Sequence, residues 1–248
     1  MNVTVNEYER IDDLQLNGLR LIQNPSWFCF GVDAVLLSDY ACNSIKKGSR
    51  VLDLCTGNGI IPILLSAKSS AAHITGIEIQ APVAEMAGRS VRLNNIEEKV
   101  SIVEGDLKDA VKLFGKCSFD NITCNPPYKE LSGGLKNSSD TVTAARHEIF
   151  CTLRDILEVS AQLLKPYGKL TMVHRPERMA EIIYIMHELR IEPKHIRLVH
   201  PSAYKTANMI LIEGAKHGNP KLFLDPPLYI YDENGNYTAE INRIYNRL

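Results

Sequence analysis

Two hydrophobic periods alternate along the chain. From residue 51 onward, short runs of apolar and β-branched residues at 51–55, 74–79, 100–104 and 119–124 give way to stretches in which apolar side chains recur every three to four positions. The runs predict buried strands and the longer stretches amphipathic helices. Helices are expected at 60–67, at 82–95 with Val83, Met86, Ala87, Ser90 and Val91 on one face, and at 108–114. A later helix places Leu153, Ile156, Leu157, Leu163 and Leu164 inward and closes at Pro166-Tyr167-Gly168; a strand at 169–174, a helix at 176–190 and strands at 191–200 and 208–215 follow. Strand and helix in alternation specify an α/β fold, here ending in a pair of strands. Ahead of this core, Leu14-Gln15-Leu16 and Leu19-Arg20-Leu21 alternate around Asn17-Gly18, a strong short-range hairpin signal.

Length and composition narrow the class without naming a function. A chain of 248 residues with 45% apolar and 23% charged residues suits a well-buried domain, and no Pro/Gly/Ser-rich linker divides it. The expected division is a hairpin extension over 1–27, a main domain over 28–218, and a tail over 219–248 packed on that domain. No apolar run approaches a membrane span. Glu7, Glu9, Arg10, Asp12, Asp13 and Arg20 are incompatible with a secretory signal, so a cytoplasmic location is expected. Six cysteines, at 29, 42, 55, 117, 124 and 151, form no C-x-x-C pair and have no histidine at metal-ligand spacing; they are read as small buried apolar groups, with no metal. A formal charge of −1 means that any contact with a polyanion must come from a local patch.

Candidate chemistry concentrates at Asn125-Pro126-Pro127-Tyr128, directly after the strand at 119–124. Each proline fixes its own φ and pushes the residue before it toward extended backbone, so the carbonyls of Asn125 and Pro126 are held stiffly. Neither proline has an N–H. The turn therefore offers carbonyl oxygens and the Asn125 amide oxygen as acceptors for a planar amine, and Tyr128 adds a face for a conjugated ring.

Three other strand ends carry candidate groups. After 51–55, Thr56-Gly57-Asn58-Gly59 breaks the strand before the helix, and Pro62 replaces the third glycine of the dinucleotide fingerprint; a nucleoside without a diphosphate fits better. Glu78 ends the second strand, where a carboxylate can accept ribose hydroxyls. Gly105-Asp106-Leu107 ends the third; Asp106 can accept an adenine amino group or cap the next helix. Upstream, Trp27 to Leu37 joins an aromatic cluster to Gly31 and Asp33, and Asp33 can cap a helix or face a ligand. The polar stretch 129–143 is an expected loop of the length that functional lids have. Between Lys165 and Lys205 eight Lys/Arg stand against four Glu, with four of the seven histidines, which is either a solvated helix face or an RNA-facing rim.

Together these segments resemble the class I S-adenosylmethionine-dependent methyltransferases, in particular the small-domain group that methylates exocyclic or amide nitrogens through an Asn-Pro-Pro-Tyr motif. Residues 28–41, 51–59, 208–214 and 224–231 are most similar to the branch that methylates adenine N6 in tRNA1(Val). The resemblance implies a Rossmann-like class I methyltransferase fold with a mostly parallel seven-stranded sheet, an antiparallel last strand and an N-terminal β-hairpin. It implies that Asp53, Gly57, Asn58 and Gly59 shape the methionine pocket, that Glu78 and Ile79 hold the cofactor ribose, and that Asp106 and Leu107 meet its adenine. Phe30, Gly31 and Asp33 would border the methionyl end, while Asn125, Pro126, Pro127 and Tyr128 hold the target amine. The implied reaction is methyl transfer from S-adenosyl-L-methionine to N6 of adenosine in RNA, in a tRNA anticodon loop above all. Lys129, Lys136, Arg146, His147, Arg175 and Lys205 are the candidate RNA contacts. Two alternatives stay open: a protein glutamine N5-methyltransferase of the release-factor type, which carries a helical domain ahead of the fold, and a non-catalytic protein that binds S-adenosylmethionine or RNA. Cys55 and Asn58 depart from the small residues and Thr or Ser common at those positions. The oligomeric state is left open.

Overall fold

A computed structural model describes residues 3–27, 29–126 and 151–247. Strands β1 (Arg10–Asp13) and β2 (Arg20–Gln23) pair antiparallel. Helix α1 (Val32–Cys42) leads into β3 (Arg50–Leu54), α2 (Ile60–Lys68), β4 (His73–Glu78), α3 (Ala81–Leu93) and β5 (Val100–Glu104). A 3-10 turn (Leu107–Asp109), α4 (Ala110–Phe114) and β6 (Phe119–Cys124) complete the second described stretch. The third holds α5 (Leu153–Leu163), β7 (Leu164–His174), a 3-10 turn (Pro176–Arg178), α6 (Met179–Glu188), β8 (Ile191–His200), β9 (Met209–Lys216), β10 (Phe223–Leu224), β11 (Leu228–Tyr229) and α7 (Ala239–Ile244). Among the described residues no helix is long and apolar enough to cross a membrane.

The main sheet runs β10-β8-β9-β7-β6-β3-β4-β5, with β11 also on β8. Five central strands are parallel, and β9 lies antiparallel to both β7 and β8. This is the Rossmann-like methyltransferase arrangement, extended at one edge by the short β10 and β11. From β3 the chain steps outward through β4 and β5, then returns to β6 on the other side of β3. That reversal opens a crevice at the carboxyl ends of β3 and β6, where open α/β sheets bind their ligands.

Apolar periodicity builds a core on each face of the sheet. On one face Leu36 and Leu37 of α1 and Ile63 and Leu65 of α2 pack with Leu21 of the hairpin and Ile241 of α7. On the other, Leu157 and Leu163 of α5 and Ile182 and Met186 of α6 pack with Phe119 and Ile122. Cutting one such leucine to alanine removes about 2–5 kcal/mol of stability. Helix α5 starts where its sequence dictates: the Thr152 hydroxyl accepts from Asp155 N at 3.1 Å, and Asp155 Oδ2 accepts from Thr152 N at 2.8 Å.

The hairpin differs from its sequence reading. Residues 14–16 and 19, expected as strand around an Asn17-Gly18 turn, join that turn in the connection, with Gln15, Asn17 and Gly18 in left-handed backbone at φ +53°, +50° and +72°. The turn thereby tucks Leu16 and Leu19 into the core, both 8% exposed, a burial that the alternation had mimicked. The hairpin is fastened to α3. Ile22 N donates to Ser90 Oγ at 3.0 Å, Arg20 N donates to Asn94 Oδ1 at 2.8 Å, and Arg89 makes two 2.6 Å bonds to the Glu9 carboxylate.

Candidate active site

Asn125 leaves β6 at the crevice, and Asp33 meets it there from the first turn of α1. The cap of α1 is Gly31, in extended backbone, so the capping role considered for Asp33 belongs to its neighbour. Asp33 Oδ1 accepts from Ala34 N at 2.9 Å, and Asp33 Oδ2 accepts from Asn125 Nδ2 at 2.9 Å. A carboxylate can only accept, so it fixes which end of the Asn125 amide faces it. The amide oxygen then points away from Asp33 and has no hydrogen-bond donor among the described residues.

The glycine turn is braced from three sides. Gly57 and Gly59 take φ +55° and +82°; a Cβ on Gly57 would meet nothing within 4 Å, so that backbone borders open space. A Cβ on Gly59 would come to 3.2 Å from Ala87 Cβ, which requires glycine where α2 starts against α3. Glu78, 5% exposed, accepts from Gly57 N at 2.9 Å through Oε2 and from Gln80 N at 3.0 Å through Oε1, while Gln80 Nε2 adds a 3.3 Å bond. Asp53 is fully buried and faces inward: Thr56 Oγ1 and Thr123 Oγ1 each donate to one of its oxygens at 2.6 Å, tying β3, the turn and β6 together. Gly76 on β4 makes room for Thr56, because a Cβ there would sit 2.6 Å from Thr56 Oγ1. Burial pushes the Asp53 carboxyl up to about 7 against the hydroxyl bonds, which pull it down; the Glu78 charge adds to the rise. Asp106 caps the 3-10 turn through Oδ1, accepting from Lys108 N at 2.9 Å, and no donor to its Oδ2 is found among the described residues. Leu107 is buried beside it, and Ile79 follows Glu78 half-buried.

Four parallel strands thus bring a glycine turn, two carboxylates and a locked amide to one edge. The family description "Methyltransferase small domain" matches residues 31–190 of this sequence. The chain belongs to the methyltransferase small-domain family. This methyltransferase is 28% identical over 222 residues to the tRNA1(Val) (adenine(37)-N6)-methyltransferase of Porphyromonas gingivalis, with 86% of each chain covered. It is 28% identical over 183 residues to the enzyme of the same name from Aeromonas salmonicida, 73% of this chain and 74% of the relative. A predicted O-methyltransferase from Agrobacterium tumefaciens shares its fold with a TM-score of 0.69 at 22% identity, over 86% of this chain and 95% of that one. M. jannaschii TYW2 in complex with AdoMet does so with a TM-score of 0.57 at 13% identity, over 87% and 88%. At such identities the structural likeness carries the fold alone.

The remaining sequence candidates of the methyltransferase divide in three. Pro127, Tyr128, Lys129, Lys136, Arg146 and His147, with the expected loop at 129–143, lie outside the described residues. Arg175 follows β7 on the edge from which Asn125 leaves β6, since Cys124 is level with Met172; its Nη1 donates to Asn208 O at 3.2 Å. Lys205 is exposed on the connection between β8 and β9. Within 165–205, however, much of the positive charge is already matched: Lys165 meets Asp120 at 2.8 Å, Lys169 meets Glu213 at 2.7 Å, Arg178 meets Glu181 at 2.6 Å and Arg197 meets Glu240 at 2.8 Å. For those four the solvated, paired face is the reading that the geometry favours.

The cysteines are less uniform than expected. Cys124 and Cys151 are buried, Cys29, Cys42 and Cys55 are half-buried, and Cys117 is exposed. Cys55 adopts φ +56° at the start of the glycine turn, with its Sγ 4.0 Å from that of Cys151. Sequence reasoning missed Thr56, Thr123 and Gln23. Thr123 carries a signal in hindsight, a hydroxyl between Ile122 and Cys124 at the end of a central strand, while Gln23, the third consecutive buried residue of β2, carries none.

Proposed function

We propose that this methyltransferase transfers a methyl group from S-adenosylmethionine to the exocyclic N6 of an adenosine in RNA, in a tRNA anticodon loop, in the cytoplasm. The observation that carries the reading is the Asn125 amide, locked by Asp33 so that its oxygen is the end presented to an amine. An amide held in this sense accepts an N–H from a planar –NH2 group, and a carbonyl at Pro126, stiffened by the next proline, can take the second N–H.

The residues present fit the cofactor. Open space borders the Gly57 backbone, as a ligand lying across the turn needs. A carboxylate has about four acceptor sites, and Glu78 already fills three with Gly57 N, Gln80 N and Gln80 Nε2. One ribose hydroxyl therefore fits directly, and a second displaces the long 3.3 Å bond from the Gln80 side chain. Asp106 Oδ2 would take the cofactor's adenine amino group, with Ile79 and Leu107 as apolar neighbours. Phe30 and Gly31 would border the methionyl end with Asp33. Asp53 would act from behind, holding the turn through Thr56 rather than touching the ligand.

When bound, S-adenosylmethionine supplies an electrophilic methyl group on a sulfonium. The protein's share is to prepare the nitrogen. An adenine amine has its lone pair delocalised into the ring, and acceptors for both of its protons favour the pyramidal form that can attack. Those bonds strengthen as positive charge grows on nitrogen, so they stabilise the transition state more than the ground state. Asp33, behind the Asn125 amide, adds negative potential of the same sense. Tyr128 would supply the stacking face for a base drawn out of its own stack, which is easier in a single-stranded loop.

Transfer from methyl-labelled S-adenosylmethionine to total tRNA and, in parallel, to release factors tests the reading, with products resolved by mass spectrometry. N6-methyladenosine in tRNA is the expected product. Label in glutamine would replace the RNA reading with the protein one, and cofactor binding without transfer to either would refute catalysis.

A further inference from the structure

Gln23, the last residue of β2, is 2% exposed and makes three hydrogen bonds that lead out of the hairpin or across it. Its Oε1 accepts from Phe30 N at 3.1 Å and from Asn58 Nδ2 at 2.9 Å. Its Nε2 donates to Asp12 Oδ2 on β1. Asn58, 6% exposed, in turn accepts from Ile60 N at 3.3 Å through its own Oδ1. One buried oxygen therefore joins two segments that have no strand pairing to each other. The first is the glycine turn at 56–59. The second is the approach to α1, which three residues beyond Phe30 carries Asp33 and its bond to Asn125. The bond from Asn58 is buried and that from Phe30 N part-buried, so loss of the oxygen leaves one buried and one half-buried donor without this partner. The hairpin that supplies Gln23 is itself pinned to α3 through Ser90, Asn94 and Arg89, so the oxygen is a fixed point.

We propose that Gln23 is a positioning residue for methyl transfer, its side-chain oxygen holding Asn58 of the glycine turn and the Phe30 backbone in one register so that the donor-binding turn and the arm carrying Asp33 keep their mutual geometry. The proposal rests on the reading of the glycine turn as the cofactor site. Transfer rates depend steeply on such alignment, and a supporting residue that slackens it lowers rate without touching either reactant. The N-terminal hairpin thereby has a catalytic purpose of its own, distinct from covering the core. Asn58 fits the same logic, since its side-chain N–H is the donor that reaches back to the Gln23 oxygen.

The test uses the full chain with the variants Gln23→Leu, Gln23→Glu, Asp12→Asn and the pair Asp12→Asn/Gln23→Glu. S-adenosylmethionine affinity is read by calorimetry, kcat and both KM values by labelled transfer to tRNA, and Tm by thermal melting. Gln23→Leu should weaken cofactor binding about tenfold and lower kcat at saturating cofactor, with the tRNA KM within about twofold of wild type. Gln23→Glu keeps the acceptor oxygens but sets a carboxylate against Asp12, and should fall in the same direction. In the pair, the amide introduced at position 12 can donate to the carboxylate introduced at position 23, and cofactor affinity and kcat should return to within about threefold of wild type. Should Gln23→Leu fail to fold, the Gln23→Glu single variant and the pair carry the comparison. Wild-type cofactor affinity and turnover in Gln23→Leu would overturn the proposal, as would a pair that regains Tm without regaining kcat. A wild-type protein that does not bind S-adenosylmethionine would instead overturn the cofactor reading on which the proposal stands.

Discussion

Asp33 is 92 residues from Asn125 in sequence, and the bond between them makes a quantitative prediction. Asp33→Ala removes a charge-assisted bond of 2.9 Å from a half-buried amide. Such bonds contribute about 1.5–3 kcal/mol. If that energy serves to hold the amide in its productive orientation and to favour positive charge on the attacking nitrogen, its loss appears in the barrier. At about 1.4 kcal/mol per tenfold, kcat should fall roughly 10- to 150-fold. Asp33→Asn keeps an acceptor but removes the charge, and should lie between the mutant and wild type. Asn125→Ala removes the acceptor itself and should cost on the order of 10²–10³-fold. The decisive measurement is the double variant, because Asp33 has nothing to orient once Asn125 is gone. Single-turnover rates with saturating cofactor and tRNA should show Asp33→Ala/Asn125→Ala within about threefold of Asn125→Ala. Cofactor affinity, read by calorimetry, should remain near wild type in Asn125→Ala, while any loss in the Asp33 variants, whose side chain borders the proposed methionyl end, is removed from the comparison by saturating cofactor. Multiplicative losses in the double variant would refute the coupling, and so would a loss in Asp33→Ala that higher cofactor concentration restores.

Two further predictions concern stability. The Asp53 carboxyl titrates near 7 in the fold against an ordinary 3.8, so between about pH 4 and 7 the folded chain holds a proton that the unfolded chain releases, and this group's contribution falls as pH rises. His174 works in the opposite sense: burial lowers it to about 4, and its contribution grows as pH rises toward 6.5. Asp53→Asn should abolish the falling component, which is at most about 1.4 kcal/mol per pH unit, and leave a curve that rises from pH 4 to 6.5 in urea titrations; an unchanged pH profile would refute the assignment. Arg89 holds the Glu9 carboxyl down at about 2, chiefly by direct hydrogen bonds, so this pair stabilises the fold above about pH 4.5 and is lost as pH falls through 2. With side chains 8% and 3% exposed, breaking the pair by Glu9→Ala at pH 7 should cost about 3 kcal/mol, or roughly 6–12 °C in Tm; a shift under 2 °C would argue that the N-terminal segment is not held by this contact.

Local chemistry was legible in the sequence and distant partnership was not. Strands 100–104, 119–124 and 191–200 match the structure residue for residue, and each ends at turn-forming residues, Gly105, Asn125-Pro126 and Pro201. The glycine turn could be placed for the same reason. Asp33 shows the limit. Its sequence context offered a cap or a ligand contact, and the structure gives the cap to Gly31 and turns Asp33 toward Asn125 on another strand. Asp106 proved to be a cap with one oxygen to spare, so neither reading excluded the other. Gln23 lay beyond the expected hairpin strand and drew no reading, since nothing in its neighbours reveals that Asn58 will arrive 35 residues later. For the positive residues of 165–205 the sequence left two readings open, because it does not show that Lys165, Lys169 and Arg197 are dispersed onto separate carboxylates once β6, β9 and α7 are folded beside them. The two-residue strands of the tail are too short to show any period.

That tail changes how the sheet ends. Phe223 and Leu224 align with His195 and Ile196 of β8, and Leu228 and Tyr229 align with Val199 and His200. Between them Asp225 N donates to Ile196 O at 2.8 Å and Arg197 Nε donates to Pro226 O at 2.9 Å. Pro226 and Pro227 occupy the middle of this outermost layer and have no N–H to offer another strand. A bare β8 would be a template for edge-to-edge growth between copies, and a border with two missing donors interrupts that growth. The last thirty residues, which carry none of the proposed chemistry, thus act as a selvedge: they hem the sheet along β8, and through Ile241 of α7 they are stitched into the core on one face.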